Sequence, residues 1–402
     1  MKRPLSRHEI VQGLATLAAA FLLLGMTLRV LALQQSGVYG SEPAPGLPAL
    51  VASPSPVSAL APTTETAHTP ATPSRAFQAG VAFPRWGSTG YSAADAGWSQ
   101  EIGRLRRDSN ASWIEMTFDL YVDTQTSLVV HTTAASVTPE NLARGIAQAH
   151  RAGLRVFVAP LLGVLTGPEP WGGAIRLGPA AQQPWFESYW QALRPYAQVA
   201  ADANADQFAV ATELSGLESA SPDIWQRLIT RVRGIYSGPL TYDLNFSTLA
   251  LEPTLWMRSP DIAYLGISEY QSLVDTPSRL DTDHIAQLWQ DRIIPSLRGL
   301  FERSGKPVLL TELGYRDAFD ALYQPWVHQT TSRPDPTLQA AAYEAALRVT
   351  IATPWIAGTY FWAWYVGQFT PHGRPAATML RAYYGPLDPP RPVLRPGDGP
   401  LG

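Results

Sequence analysis

The 402-residue chain contains no cysteine. That absence excludes disulfides, thiolate metal sites, a cysteine nucleophile and a lipidated cysteine, and says little about compartment. Charge is also scarce: only 16% of residues are Asp, Glu, Lys or Arg, and the formal net charge is -3. A nucleic-acid partner is therefore not expected, because counterion displacement needs a basic surface. No Gly-x-Gly-x-x-Gly or Walker loop follows any apolar strand-like run, and neither a His-Glu-x-x-His helix nor a Gly-x-Ser-x-Gly elbow occurs. His131, His150, His284, His328 and His372 show no metal-ligand spacing. The sequence thus calls for no metal and no cofactor.

Proline and tryptophan are abundant instead, 36 and 13 residues. Much of the proline lies outside any foldable pattern. Lys2, Arg3 and Arg7 precede a mainly apolar stretch from Ile10 to Leu28, close in length to a bilayer core. Residues 1–33 read as a signal anchor, or as a signal peptide cleaved after Val30-Leu31-Ala32. Either leader would export the rest of the chain, anchored by a single pass with its N-terminus in the cytoplasm, or secreted. Residues 34–76 are rich in Pro, Ser and Thr. They bury too little apolar surface to offset chain entropy, so a disordered linker is expected. Residues 386–402 form a similar Pro-rich tail. The folded unit is then 77–385, expected to act as a monomer.

Within that unit, β-rich runs alternate with helical patterns. Strands are expected at Gly80–Phe83, Trp113–Phe118, Arg155–Leu161, Gln207–Thr212, Pro239–Asp243, Ile262–Ile267, Pro307–Thr311 and Ile356–Trp362. Thr138 and Pro139 read as the cap and first residue of a helix ending before Gly153. Pro295 should kink or break the helix that contains it. Eight βα units in about 300 residues match a (β/α)8 TIM barrel within the α/β class. The weakest interval separates the fifth and sixth strands, where about twenty residues must supply a crossover helix. A doubly wound sheet is the alternative.

Active sites in such barrels form at the C-terminal strand ends. "QFAVATELSG" puts Glu213 past the fourth strand and "KPVLLTELGY" puts Glu312 past the seventh, 99 residues apart. Two carboxylates in one mouth are what glycoside hydrolysis uses, one as acid and one as nucleophile. Aromatic residues at loops or strand ends, Trp86, Trp171, Trp362 and Trp364, offer ring faces to sugar C–H groups. Trp185, Trp190 and Trp289 fall on helical patterns and read as core. Asn245 could bond a sugar hydroxyl. Asp119 and Asp123 could bind substrate or cap a turn, with Asp123 favoured. Thr212 could orient Glu213 or simply fill a strand. Glu269, beside Tyr270, should face away from the mouth.

These runs resemble glycoside hydrolase family 113, bacterial endo-β-1,4-mannanases within the retaining (β/α)8 glycosidase clan. The similarity covers nearly the whole barrel through "GVAFPRWGSTGYS", "WFESYWQALRPYAQVAADANADQFAVATELSG", "YLGISEY", "VLLTELGY", "WIAGTYFWAWY" and "PHGRPAATMLRAYYG". Thr212-Glu213-Leu214 matches that family's Thr-Glu-Leu, where most of the clan has Asn before the Glu. The resemblance implies Glu213 as acid/base, Glu312 as nucleophile, Tyr270 as support for the nucleophile, and Trp362 or Trp364 as sugar platform. It also places Tyr121 and Asp123 among sugar-facing positions. Two segments depart from the pattern: Val158-Ala159-Pro160-Leu161 and Leu120-Tyr121-Val122-Asp123 carry apolar residues where the family has polar ones. The reading is a retaining glycoside hydrolase acting on a β-linked, mannan-like carbohydrate. A non-catalytic carbohydrate-binding barrel and a wall-glycan transglycosylase are the alternatives.

Overall fold

The computed structural model describes residues 76–250, 253–385 and 387. The expected N-terminal leader, the linker up to residue 75 and nearly all of the tail lie outside them. Among the described residues no helix is long and apolar enough to cross a membrane.

Eight parallel strands close into a barrel in chain order: β1 Gln78–Ala82, β2 Trp113–Val122, β3 Arg155–Val164, β4 Gln207–Thr212, β5 Leu240–Asn245, β6 Ile262–Glu269, β7 Val308–Leu313 and β8 Ile356–Phe361. This is the TIM barrel expected from the alternating pattern. Helices pack outside it: α1 Ala96–Ser109, α2 Pro139–Arg151, α3 Pro179–Asp202, α4 Pro222–Arg233, α5 Thr282–Leu288, α6 Ile294–Ser304, α7 Pro336–Ile351 and α8 Pro375–Tyr384. Proline occupies the first position of α2, α3, α4, α7 and α8. Its missing N–H has no intrahelical partner to lose there. The Thr138 side chain caps α2 by accepting from the Asn141 N–H. Pro295 interrupts its helix as expected. A π turn, Trp289–Ile293, separates α5 from α6 where the proline cannot donate to the preceding turn.

Two findings differ from the sequence expectation. β2 and β3 run to Val122 and Val164, beyond the ends expected, because they pair with each other over their whole length. The step from β5 to β6 contains no α-helix among the described residues, only short 3-10 turns at Phe246–Thr248 and Leu255–Arg258. Trp256 fills the space a crossover helix would cover. It stacks on Trp225 of α4 at 4.2 Å and meets Tyr242 edge-on, while its indole donates to the Glu218 carbonyl.

The barrel interior is filled in levels. At the lower end lie Trp113, Phe157, Tyr264, Leu309 and Tyr360. A buried polar chain joins them: Tyr360 Oη donates to Gln78 Oε1, and Gln78 Nε2 to Gln207 Oε1. Gly80 is required here because a Cβ would overlap the Tyr360 ring. Above this level the interior turns from apolar to acidic.

Because Trp256 is fully buried in the helix-free crossover and stacked on Trp225, Trp256→Ala should cost about 3–5 kcal/mol. Urea denaturation of the two proteins would measure it. A loss below about 1 kcal/mol would show that the crossover does not depend on this ring.

Candidate active site

Strand alternation decides which side chains enter the barrel. On β2 the even positions Ile114, Met116, Phe118 and Leu120 join the outer core, which leaves Glu115, Asp119 and Tyr121 facing inward. On β5, Tyr242 and Leu244 pack outward, and Asp243 and Asn245 face inward. On β6, Ile267 packs outward while Ser268 and Tyr270 face inward. β7 breaks the rule. Its register against β6 slips between Gly266 and Ser268, so that Gly266 pairs with Leu309 but Ser268 with Glu312. The extra residue lets Thr311 and Glu312, consecutive in sequence, both address the interior. Thr311 fits only because position 266 is glycine: a Cβ there would lie 2.8 Å from Thr311 Oγ1.

The upper end of the barrel therefore collects carboxyls. Glu213 follows β4 with φ of +52°, a left-handed backbone that is rare for a residue with a Cβ. Its N–H donates to the Asp243 carbonyl at 2.8 Å. Its Oε1 accepts from Asn245 Nδ2 at 2.6 Å. Glu312 Oε2 accepts from Tyr270 Oη at 3.0 Å. Asp243 accepts from Thr311 Oγ1 at 2.6 Å and from Ser268 Oγ at 2.9 Å. All three carboxyls are at most 4% exposed.

Burial at this density raises every acid. Glu213 is pushed up to about 7 by desolvation, against the pull of hydrogen bonds from Asn245 and Ser268. Desolvation, and then the charges of Glu213, Glu115 and Asp243, holds Glu312 well above the usual carboxylate range. Two adjacent buried negative charges are costly, so ionisation of either Glu213 or Glu312 opposes ionisation of the other. A pair with one proton and one charge can act as acid and nucleophile at once. Among the described residues no metal-ligating cluster of His, Asp and Glu occurs.

The other sequence-derived candidates separate clearly. Tyr270 bonds Glu312, as its position implied. Asn245 bonds Glu213 itself rather than standing free for a sugar. Trp362 lies in the mouth with Ala82, Leu161, Tyr270 and Phe369, and Trp86 packs half-buried against this group. Trp364 is instead fully buried in the outer core beside His372. Tyr121 and Trp171 line the upper ends of β2 and β3, where backbone bridges join Tyr121 to His131 and Gly163 to Trp171. Asp123 stands on the rim, its side chain 70% exposed and 3.1 Å from His131, away from the pair. Thr212 Oγ1 makes no protein hydrogen bond, so it is strand filler and Asn245 orients Glu213. Trp185 and Trp289 are fully buried core residues and Trp190 nearly so. Glu269 does face away: it is buried, accepts from the Gln271 N–H, and is pushed up to about 7 by burial.

Sequence reasoning missed several residues. Glu115, Asp243 and Ser268 sit mid-strand, where only the inward alternation of an already assigned barrel could have flagged them. Asp119, weighed with Asp123 as a substrate binder or turn cap and less favoured for binding, is the inward one. It is buried, pushed up to about 8 by desolvation, and faced by the Trp86 indole. Trp326, on the long β7–α7 loop, stacks on Phe246 at 5.6 Å beside the Asn245–Glu213 pair. Buried Arg316 fixes that loop by donating to the carbonyls of Gln324, Pro325 and Val327 and to the Asp320 carboxylate.

In sequence, the model of Glycoside Hydrolase Family 113 matches residues 83–380. No curated protein matches the chain. Solved structures do match. One is a family 113 β-1,4-mannanase with TM-score 0.66 and 22% identity, covering 77% of this chain and 99% of that one. Another is a β-mannanase from Alicyclobacillus acidocaldarius, in complex with ManMIm, with TM-score 0.65 and 23% identity, covering 78% and 99%. A β-D-glucuronidase of Dictyoglomus thermophilum reaches TM-score 0.52 at 14% identity, covering 78% of this chain and 51% of that one. At these identities the likeness is one of fold.

The buried acids make stability fall with rising pH. An unfolded glutamate loses its proton near 4.5, whereas Glu218 and Glu269 hold theirs to about 7. Their contribution is complete below about 4.5 and is lost as pH climbs through about 7. Melting temperature should therefore drop between pH 5 and pH 8. Glu269→Gln, which cannot ionise, should show a smaller drop; an unchanged pH slope would contradict the assignment.

Proposed function

The chain belongs to glycoside hydrolase family 113, and from that premise we propose that it cleaves β-1,4-linked mannan-type polysaccharide by double displacement. The observation that carries this reading is the placement of Glu213 and Glu312, from β4 and β7, in one buried mouth with different hydrogen-bond partners. The substrate class comes from the family's solved members, which are described as β-1,4-mannanases.

In the first step the Glu312 carboxylate attacks the anomeric carbon while Glu213 gives its proton to the departing glycosidic oxygen. Tyr270 holds Glu312 Oε2, leaving Oε1, which makes no protein hydrogen bond, as the attacking atom. Asn245 holds Glu213 Oε1. Once Glu312 is esterified its charge is gone, the repulsion on Glu213 falls, and Glu213 acts as base toward water in the second step. Trp362 would carry the reacting sugar ring. The Phe246–Trp326 stack, next to Asn245, would carry the ring on the leaving-group side. The leucine at position 161 and alanine at 159 narrow the polar contacts available from β3, so hydroxyl recognition falls to Asp119 and the strands opposite. The leader read in residues 1–33 would place this barrel outside the cytoplasm, where polymeric substrate is met; protease shaving of intact cells tests that placement.

Glu312→Ala and Glu213→Ala should each lower kcat by roughly 10³-fold or more on mannan, and azide, by attacking the glycosyl-enzyme, should speed turnover of an aryl mannoside with an activated leaving group in Glu213→Ala. NMR of the first-formed product should show retained anomeric configuration, since this mechanism needs carboxyls ~5–5.5 Å apart. An inverted product, or a Glu312→Ala variant of full activity, would refute the mechanism. Trp326→Ala should raise KM several-fold on polymer with little change for short aryl mannosides; equal effects on both would remove Trp326 from the leaving-group side.

A further inference from the structure

Among the described residues four large hydrophobic side chains are exposed, and Tyr365, at 47%, is the one aromatic among them. It lies on the loop after β8, just past Trp362. The residues around it are fixed. Ala363 and Trp364 are fully buried, the Trp364 N–H donates to the Ala82 carbonyl at 2.8 Å, and Val366 packs against the cluster that contains Trp362. The turn therefore holds the Tyr365 ring out at the rim of the mouth.

A cation braces that ring. The Arg85 guanidinium carbon is 5.7 Å from the centre of the buried Phe83 ring and 6.0 Å from that of Tyr365. The two rings are 6.5 Å apart. Arg85 is held in turn, because Nε and Nη2 donate to the two carboxylate oxygens of Asp95 at 2.7 and 2.5 Å. Asp95 also caps α1 by accepting from the Trp98 N–H. Such a forked ion pair fixes the guanidinium plane. A ring supported in this way loses little freedom when a ligand covers it. Asp95 also balances the Arg85 charge, so this rim suits a neutral ligand.

Barrel closure gives the rim its direction. The strands close in chain order, so β1 lies four strands from β5, and β8 four strands from β4. Glu213 follows β4, and Asn245 at the end of β5 holds it. The leaving group therefore departs over β4 and β5, where Phe246 and Trp326 stack. The rest of the sugar chain runs toward β8 and β1. Trp362, Trp86 and Tyr365 all follow those two strands, and aromatic faces of this kind pack on the C–H faces of pyranose rings.

We propose that Tyr365, braced by Arg85, binds a neutral pyranose unit of the substrate beyond the one on Trp362, on the side away from the leaving group. This rests on the reading that Glu213 protonates the leaving oxygen of a mannan-type chain. Sites on both rims favour cleavage at internal bonds of a polymer.

The test uses aryl β-mannosides lengthened by successive β-1,4-linked mannose units. The aryl group occupies the leaving side throughout, so added units extend only toward β8 and β1. In the full-length protein kcat/KM should rise with length. One step of that rise, roughly 3- to 10-fold, should vanish in Tyr365→Ala and persist in Tyr365→Phe. The shortest aryl mannoside should be cleaved equally well by all three proteins, and Trp326→Ala should keep the step. A step that survives in Tyr365→Ala would overturn the site, leave the mannan reading standing and assign the exposed ring to another partner. An equal loss at every length would also overturn it, because the ring would then support the mouth itself. If the unaltered protein cleaves no member of the series, the mannan reading falls and this site falls with it.

Discussion

Everything at the upper end of this barrel depends on keeping several carboxyl groups in a space that water scarcely enters. Glu115, Glu213, Asp243 and Glu312 are all at most 4% exposed, and ionised groups so placed repel one another strongly. The architecture answers with a donor for three of them: Asn245 for Glu213, Tyr270 for Glu312, Ser268 and Thr311 for Asp243. The donors come from strands β5, β6 and β7 or their ends, which therefore act as one polar wall. Direct pairing of β4 with β5 is what brings the β4 carboxyl against this wall.

How much of this was legible in the sequence follows from which rule each residue obeys. The alternating units, the Thr138–Pro139 helix start and the break at Pro295 follow from local chemistry and were readable. Glu213 and Glu312 were readable because each stands at an expected strand end, and Tyr270 through the family resemblance. The β7 register slip was not, since "VLLTEL" reads as a regular strand. Strict alternation would have sent either Thr311 or Glu312 outward, and only pairing with β6 shows that both turn in. Trp362 and Trp364 share one phase of a strand and could not be told apart; the chain leaves β8 after Phe361, and Trp364 is carried into the outer core. Asp123 was favoured over Asp119 by position alone, and the unexpected length of β2 reverses that order by carrying the chain out to the rim before Asp123.

The crossover between β5 and β6 shows a tertiary override of a topological rule. Parallel strands usually require a helix to return the chain. Here a stacked Trp225–Trp256 pair covers the sheet instead, and the same loop region supports Glu218, whose carboxyl accepts from Tyr242 at 2.9 Å. Outer packing and inner chemistry thus meet on one strand, since Tyr242 and Asp243 are neighbours pointing to opposite sides of β5. A single peptide unit separates the outer aromatic layer from the acid beneath Glu213.

The left-handed backbone at Glu213 puts selection for durability and selection for turnover in opposition at one residue. A side chain with a Cβ costs roughly 1–2 kcal/mol in that conformation, and glycine would relieve it. Any search for hardier versions of this barrel will therefore tend to discard the very group that makes it useful. Position 213 is one where a sturdier protein and a working one are different proteins.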